Sequence, residues 1–384
     1  MSEISVPVID LSAGYRQYRE EIDECIARVL SSGWYMLGKE VAQFEQSFAA
    51  WLNVNQVVGV ANGTDAINLA LRSLNIGTND AVFTVSHTAV ATVAAIELAG
   101  ATPVLIDVDP STMNIDIGKL FDSVRNFAGK SAGLRPRAVI AVHLYGHSCD
   151  ITALKRLCEE QNLELIEDCA QAHGTKFGDA RAGTFGSAAA FSFYPTKNLG
   201  AFGDGGAVAF RDSATADRCR ALREYGWTTR YVSEFAGINS RLDEVQAAIL
   251  SVKLRHLDAE VAARQSIARI YDAGLSGVIE TPAVSRGTSH AYHLYVVRCA
   301  DRDSLRTALE RAGIGSGIHY PVPVHLQPAY QGRVAMGSGD LSATEVLARE
   351  VLSLPMHPFL SSEDAHRVVE AISHWAKSEQ GAAG

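Results

Sequence analysis

Lys197 is the residue of this sequence whose surroundings point most clearly to chemistry. It lies in the stretch 191–208, FSFYPTKNLGAFGDGGAV, between a run of aromatic and hydroxyl side chains and a glycine-rich turn. Apolar surroundings disfavour a charged ammonium, and a neutral lysine amine is a nucleophile that can form a Schiff base. The alternative interpretation is a lysine whose stem is buried while its ammonium reaches solvent.

A second feature is the segment 62–65, Asn-Gly-Thr-Asp, which ends a hydrophobic run and opens a helical pattern. The backbone N–H groups at a helix N-terminus, together with a small hydroxyl side chain, form a site that suits a phosphate. An ordinary helix cap explains the same residues without any ligand.

Two carboxylates, Glu167 and Asp168, end the apolar run LELIED, and Gln171 and His173 follow in the same loop. Ligands of open α/β sheets bind outside the carboxyl ends of the strands. A carboxylate there can hold a protonated ring nitrogen or a metal ion, or else serve as a helix cap or salt-bridge partner. The cluster lacks a regular metal-ligand spacing, so we expect no metal site.

These three features together match one cofactor. Pyridoxal 5'-phosphate has an aldehyde, a phosphate and a pyridine ring, so it needs an amine, an anion cradle and a carboxylate for its ring nitrogen. The sequence therefore predicts a pyridoxal-phosphate enzyme.

The elements that must position these residues alternate between short β-rich runs and helical ones. This alternation predicts right-handed crossovers and a mostly parallel sheet covered on both faces, an α/β fold. Helices are predicted over 16–32 and 39–52, and a long charged helix over 242–264 is predicted to lead into a second domain. We expect a large cofactor-binding domain over 1–250 and a smaller α/β domain over 251–384.

Composition limits the possible partners. The 384 residues are 47% hydrophobic and 20% charged, and the net charge of −9 argues against nonspecific nucleic-acid binding. No apolar run approaches the ~20 residues that span a bilayer, and no secretory signal is evident. Six scattered cysteines without a CxxC pair fit reduced thiols. We therefore expect a cytoplasmic protein that binds neither membrane nor nucleic acid.

Several blocks of the sequence together resemble a known family. In chain order they read NGTDAINLAL, ATPVLIDVDP, HLYGH, IEDCAQAHGT, SFYPTKNLGAFGDGGAV, GINSRLDEVQAAIL and HYPVPVHLQPAY. From Val6 to His374 the chain resembles the DegT/DnrJ/EryC1/StrS family of pyridoxal-phosphate sugar aminotransferases. The resemblance implies the type I, aspartate-aminotransferase-like fold, in which a large domain with a mostly parallel central sheet is followed by a smaller C-terminal α/β domain.

The resemblance also implies roles for individual residues. Lys197 resembles the lysine that binds the cofactor covalently, and Asp168 resembles the partner of the pyridine nitrogen; both are predicted to be catalytic. The other predicted cofactor contacts are Gln171 at the ring or its 3-oxygen, Gly63, Thr64 and Ser192 at the phosphate, and Asn239 at the phosphate of the neighbouring subunit's cofactor. The active unit is therefore predicted to be a homodimer with shared active sites.

Two positions depart from the family pattern. Many members carry an aromatic residue that stacks on the cofactor ring, and the matching place in the block 88–92 is Ala89. His87 lies two residues earlier and is predicted to replace that stack, with a core or loop histidine as the alternative. Cys169 stands where alanine is usual, and we assign it no chemistry.

The substrate is predicted from the loop 319–327, which reads HYPVPVHLQ. It resembles the Tyr-Pro-x-Pro form of members that aminate 3-keto sugars, whereas many 4-keto enzymes have Tyr-Ile-Pro; REYGW (223–227) and SHTAVAT (86–92) favour the same choice. We expect a dTDP-3-keto-6-deoxyhexose as substrate and L-glutamate as amino donor, with a 4-keto sugar as the alternative. The predicted substrate contacts are Tyr194, His319, Tyr320 and His325.

Three other classes compete with this interpretation. Tyr194 and Lys197 superficially resemble the Tyr-x-x-x-Lys of short-chain dehydrogenases, but only two residues separate them and no GxGxxG follows a strand. Sugar dehydratases of the same family replace the lysine with histidine, whereas this chain keeps Lys197. A non-catalytic binding or regulatory protein would not need an amine at that position.

Overall fold

A sheet of eight strands forms the central layer of the computed structural model, which describes residues 4–127 and 133–382. In spatial order the strands are Gln56–Val60 (β1), Gly206–Phe210 (β9), Ala188–Ser192 (β8), Glu164–Asp168 (β5), Arg135–Val142 (β4), Asp80–Val85 (β2), Thr102–Ile106 (β3) and Ala335–Met336 (β14). β9 pairs antiparallel with both of its neighbours, and all other adjacent strands are parallel. The prediction of a mostly parallel sheet is confirmed.

The helices cover this sheet and extend beyond it. Their bounds are Leu11–Gln17 (α1), Arg19–Ser32 (α2), Lys39–Leu52 (α3), Gly63–Ser73 (α4), Val90–Leu98 (α5), Ile117–Asn126 (α6), Ile151–Gln161 (α7), Ser213–Leu222 (α8), Glu244–Leu275 (α9), Arg302–Arg311 (α10), Ser342–Glu350 (α11) and Ser362–Ala382 (α12). Every residue of β2 and β8 is buried, as expected for strands packed on both faces.

Two helix predictions need correction. The helix predicted over 16–32 is two helices, because α1 ends at Gln17 and α2 begins at Arg19. The long helix predicted to end at residue 264 continues to Leu275, since apolar residues at helical spacing, such as Ile267 and Tyr271, stay buried in its last turns. Charge composition alone did not reveal this buried extension.

The C-terminal region adds a small antiparallel sheet of Tyr295–Arg298 (β13) and Val351–Leu354 (β15). The end of α9, with α10 and α12, packs around it in a separate hydrophobic cluster that includes Tyr295 and Val6. The same region also gives β14 to the main sheet. The division into domains at residue 250, which falls inside α9, stays a prediction.

Minor strands are Lys176–Phe177 (β6), Ala180–Arg181 (β7), Trp227–Thr229 (β10), Val232–Ser233 (β11) and Thr288–Ser289 (β12). Among the helices of residues 4–127 and 133–382, none combines the length and apolar character that a membrane crossing requires.

Candidate active site

A cavity of about 240 Å³ opens where the parallel strands β5 and β4 end. This is the edge at which ligands of α/β sheets bind. Seven of the predicted site residues line it: Gly63, Thr64, Asp168, Gln171, Ser192, Tyr194 and Lys197. Three segments that are far apart in the sequence thus meet in one cavity: residues 62–65, 168–171 and 192–197.

Lys197 follows β8 in a tight loop. Its backbone N–H donates to the Tyr194 carbonyl at 2.8 Å, and the Ala201 N–H returns to the Phe193 carbonyl at 2.7 Å. Burial lowers the pKa of the Lys197 ammonium from 10.5 to about 8, against the opposing attraction of Asp168. Burial therefore favours the neutral amine, which is the direction expected from the sequence.

Asp168 is the last residue of β5 and is buried. Its carboxylate accepts hydrogen bonds from the Thr92 hydroxyl at 2.8 Å and from the Ala170 N–H at 3.1 Å. Burial raises the pKa of this carboxyl, while these donors and the Lys197 charge lower it. A cationic donor in the cavity would stabilise the buried carboxylate.

The N-terminus of α4 forms the opposite end of the cavity. The Asn62 side chain caps the helix by accepting the Asp65 N–H at 2.8 Å, which confirms the predicted strand, turn and helix. A methyl group on Gly63 would lie 2.7 Å from the Ser192 Cβ, so glycine is needed for this close approach. The first N–H groups of a helix have no intrahelical acceptor, and the Thr64 and Ser192 hydroxyls lie beside them in the cavity.

These donors fit pyridoxal phosphate. The α4 N-terminus with Thr64 and Ser192 supplies N–H and O–H donors for a phosphate dianion. Asp168 supplies a buried carboxylate that lacks a full counter-charge, and Lys197 supplies an amine that loses its proton readily. The chemistry of this donor set matches the three functional parts of the cofactor.

Gln171 links the cavity to the predicted substrate loop. Its Oε1 accepts the backbone N–H of Tyr145 at 2.7 Å, and its Nε2 donates to the Tyr320 hydroxyl at 3.0 Å. The Tyr145 hydroxyl donates to the His319 carbonyl and accepts from Nε2 of His87 at 2.9 Å. Gln171 and Tyr145 thus hold residues 319–320 against the cavity wall.

Tyr145 is a site residue that sequence reasoning missed. It has φ 60°, in the left-handed region that residues other than glycine rarely adopt, and its ring is buried. Such strained positions cluster at functional sites. The only signal in the sequence was its place in the block HLYGH, which carries no information about a partner 174 residues away.

His87 and Ala89 occupy different positions relative to the cavity. Ala89 lines it together with His143 and Thr92, whereas His87 is buried against Tyr145 and is not among the lining residues. His143 is therefore the imidazole on the cavity wall. The role of His87 as a ring stack stays a prediction, and its observed contact is the Tyr145 hydroxyl.

Four further predicted residues lie outside the cavity lining: His319 and Tyr320, whose contacts are given above, and His325 and Asn239. His325 is buried, with Nδ1 2.7 Å from the Ser86 hydroxyl and Nε2 3.3 Å from Glu345. Asn239 is exposed and pairs with Glu224 in an isolated bridge. An exposed position is what a contact to a neighbouring subunit requires.

His143, Glu167 and Cys169 form a buried group whose potential ligand atoms lie within 4.8 Å of one another. Glu167 already accepts from three backbone N–H groups of residues 183–186 at 2.8, 2.8 and 2.9 Å and from His143 Nε2 at 3.0 Å. His143 Nδ1 accepts the Cys149 N–H at 3.1 Å. These bonds use both oxygens and both ring nitrogens, so the group supports the turn of residues 183–186 before β8.

Comparison with known proteins agrees with this geometry. The model of the DegT/DnrJ/EryC1/StrS aminotransferase family matches residues 16–373. A curated relative from Streptomyces venezuelae, dTDP-3-amino-3,4,6-trideoxy-alpha-D-glucose transaminase, is 46% identical over 374 residues, which are 97% of this chain and 96% of the relative.

Comparison with solved structures also finds aminotransferases of this family. S. venezuelae DesV, in complex with a ketimine intermediate, superposes with a TM-score of 0.91 at 45% identity, covering 97% of this chain and 98% of that one. The Bacillus subtilis protein ntda, with bound cofactor pmp, has a TM-score of 0.88 at 26% identity, covering 98% and 86% of the respective chains. The predicted type I fold is confirmed, and the chain belongs to the DegT/DnrJ/EryC1/StrS aminotransferase family.

Proposed function

We propose that this protein transfers an amino group from L-glutamate to a dTDP-3-keto-6-deoxyhexose, using pyridoxal 5'-phosphate as cofactor. The observation that carries the proposal is the meeting of Lys197, Asp168 and the α4 N-terminus in one cavity. The name of the S. venezuelae relative, a transaminase of a dTDP-3-amino sugar, supports the choice of substrate.

When bound, the cofactor supplies an electron-accepting ring that stabilises negative charge on the substrate carbon. Asp168 would keep the ring nitrogen protonated, because a buried carboxylate favours a positive partner. Lys197 Nζ would move a proton between the substrate carbon that bears the amine and the aldehyde carbon of the cofactor, a task suited to an amine with a pKa of about 8. Gly63, Thr64 and Ser192 would hold the phosphate.

The sugar would lie between Tyr194 and the segment 319–320. Tyr194 lines the cavity and is half exposed, and the Tyr320 hydroxyl reaches Gln171 at its edge. The Tyr320 hydroxyl accepts a hydrogen bond from Gln171, so its own proton is free to donate to a substrate oxygen. His325 is proposed to act on the sugar site through Ser86, which it contacts.

We further propose a homodimer in which Asn239 of each protomer completes the phosphate site of the other. Its exposure and its absence from the residues that line the cavity of its own chain support this arrangement. We place the reaction in the cytoplasm, consistent with six cysteines that are all free.

The test is a transamination assay with the cofactor, L-glutamate and either a 3-keto or a 4-keto dTDP-6-deoxyhexose. We expect amino-sugar formation with the 3-keto compound and no turnover in Lys197→Ala. Faster turnover of the 4-keto compound would contradict the substrate while leaving the reaction class intact. Full activity of Lys197→Ala would contradict the mechanism.

A further inference from the structure

A second cavity, of about 260 Å³, adjoins the loop that carries Lys197. Its polar lining comes from Asp10, from Lys197 and Asn198, from Lys253, Glu260 and Arg264 of α9, and from His357. Of these residues, only Lys197 also lines the cofactor cavity. The second cavity therefore adjoins the cofactor cavity at Lys197.

Several buried polar atoms of the residues that line this cavity lack protein partners. Among the described residues, no hydrogen-bond partner reaches Asn198 Oδ1, Glu260 Oε1, Arg264 Nε or either ring nitrogen of His357. All four side chains are more than nine-tenths buried. Burying unpaired polar groups is unfavourable, so such a concentration of them indicates a polar occupant.

The unused donors belong mainly to cations. Arg264 makes its hydrogen bonds, to the Tyr292 and Met356 carbonyls, through Nη1 alone, so its Nε and Nη2 donors remain. Lys253 Nζ donates to the Gly200 carbonyl, and an ammonium has three donors.

The nearby acids do not balance these charges. Asp10 already accepts the Ser12 and Ala13 N–H groups and pairs with Arg16, which leaves Glu260 as the acid facing Lys253 and Arg264. Burial lowers the pKa of Lys253 and lowers that of Arg264 to about 10, with Glu260 opposing both shifts. An anion would complete the charge balance.

The apolar residues of the lining indicate which kind of anion fits this cavity. Leu11, Phe202 and Phe359 give the cavity an apolar side that suits methylene groups. A carboxylate on a short aliphatic chain fits both parts. Because Lys197 lines this cavity as well as the cofactor cavity, an amine carried by the same molecule would be directed towards the lysine.

We propose that this second cavity binds the side-chain carboxylate of the amino donor, with Lys253 and Arg264 as its counter-charges. The inference rests on the proposed function and assigns it a donor subsite distinct from the surface that holds the sugar. Lys253 is a positioning and specificity residue in this assignment, because it contacts the end of the donor that does not react.

The test uses glutarate, a dicarboxylate with the carbon chain of glutamate but without an amine to transfer. Its binding to the cofactor-loaded enzyme is measured by calorimetry, and the KM of each substrate is measured by assay. We expect Lys253→Met to weaken glutarate binding and raise the KM for glutamate at least ~10-fold each, with the KM for the sugar nucleotide within ~2-fold. Lys253→Arg should restore most of the binding, and Lys377→Met, on the exposed face of α12, should change neither quantity.

A second variant does not depend on replacing a buried group. Leu11 is 49% exposed at the rim, so Leu11→Glu should fold and place a negative charge at the cavity entrance. It should weaken glutarate binding as Lys253→Met does. Equal glutarate affinity in wild type, Lys253→Met and Leu11→Glu would overturn the inference, as would a sugar KM that rises with the glutamate KM. Absence of transamination by wild type would instead contradict the proposed function itself.

Discussion

The buried carboxylate of Asp168 accepts few hydrogen bonds from the protein. Against the effect of burial the protein supplies two hydrogen bonds, from the Thr92 hydroxyl and the Ala170 N–H, and the attraction of Lys197 and His143. In the proposed function a protonated ring nitrogen would supply the missing counter-charge, and Asp168 and the cofactor should stabilise each other.

Replacing Asp168 with Asn should retain the shape of the site but remove this charge. We expect kcat to fall by about 10²-fold or more, since removal of a preorganised electrostatic partner has effects of that size. Cofactor affinity should fall as well, measured by titration of the cofactor-free protein. Asp217→Asn, an exposed carboxylate on α8, is the matched control. A kcat within ~3-fold of wild type would show that Asp168 is not the ring partner.

Tyr145→Phe should test the link between the cavity and the predicted substrate loop 319–327. Loss of the hydroxyl leaves the His319 carbonyl and His87 Nε2 without their partner. We expect the free energy of unfolding to drop by about 1–3 kcal/mol. The KM for the sugar nucleotide should rise more than the KM for glutamate.

Tyr35→Phe is the control for that variant, because the Tyr35 hydroxyl bonds a backbone carbonyl at a half-exposed position. If Tyr145→Phe raised the KM for the sugar nucleotide and the KM for glutamate equally, the hydroxyl would be a general structural contact rather than a support for the predicted substrate loop 319–327.

At the scale of secondary-structure elements, the turn between β1 and α4 determines the shape of the phosphate end. Gly63→Ala would place a methyl group 2.7 Å from the Ser192 Cβ and force the turn away from β8. We expect the dissociation constant for the cofactor to rise at least ~10-fold, measured by equilibrium titration.

Gly118→Ala offers the comparison for this change. Its added methyl group would approach only a side-chain oxygen of Asp116, at 3.3 Å, at the start of α6. Its affinity for the cofactor should match that of wild type. Unchanged affinity in Gly63→Ala would remove the α4 turn from the phosphate site.

The sequence predicted these elements because their signals are local. Asn62 caps α4 through an N–H three residues away, and the apolar runs that became β5 and β8 end next to polar residues. The Tyr145–His319 contact and the length of α9 depend on tertiary packing. Neither feature has a local sequence pattern, so the contact through which Tyr145 supports the predicted substrate loop 319–327 could not be predicted.

At the scale of the whole molecule, burial of histidines makes stability depend on pH. Burial lowers the pKa of His173 to about 3 and that of His87 to about 4, from an ordinary 6.5. Below pH 6.5 the unfolded chain binds protons that the folded chain does not, so the free energy of unfolding falls as pH falls. At pH 5 each such histidine contributes a loss of about 2 kcal/mol.

We therefore expect His173→Leu to lose about 2 kcal/mol less stability than wild type between pH 7 and pH 5. Denaturant unfolding of the cofactor-free protein at both pH values gives this difference. The two His173 nitrogens have no partner among the described residues, so the substitution leaves no new unpaired group there. An identical pH dependence in the two proteins would mean that His173 is protonated when folded.

The central claim is that Lys197 binds the cofactor covalently, and reduction with borohydride followed by peptide mass spectrometry tests it most directly. Cofactor-loaded protein should absorb at roughly 400–430 nm. Reduction should abolish that band and leave the cofactor mass on the peptide that contains Lys197. The same treatment should leave Lys197→Ala unlabelled. A label on any other lysine, or an unchanged band in Lys197→Ala, would contradict the account.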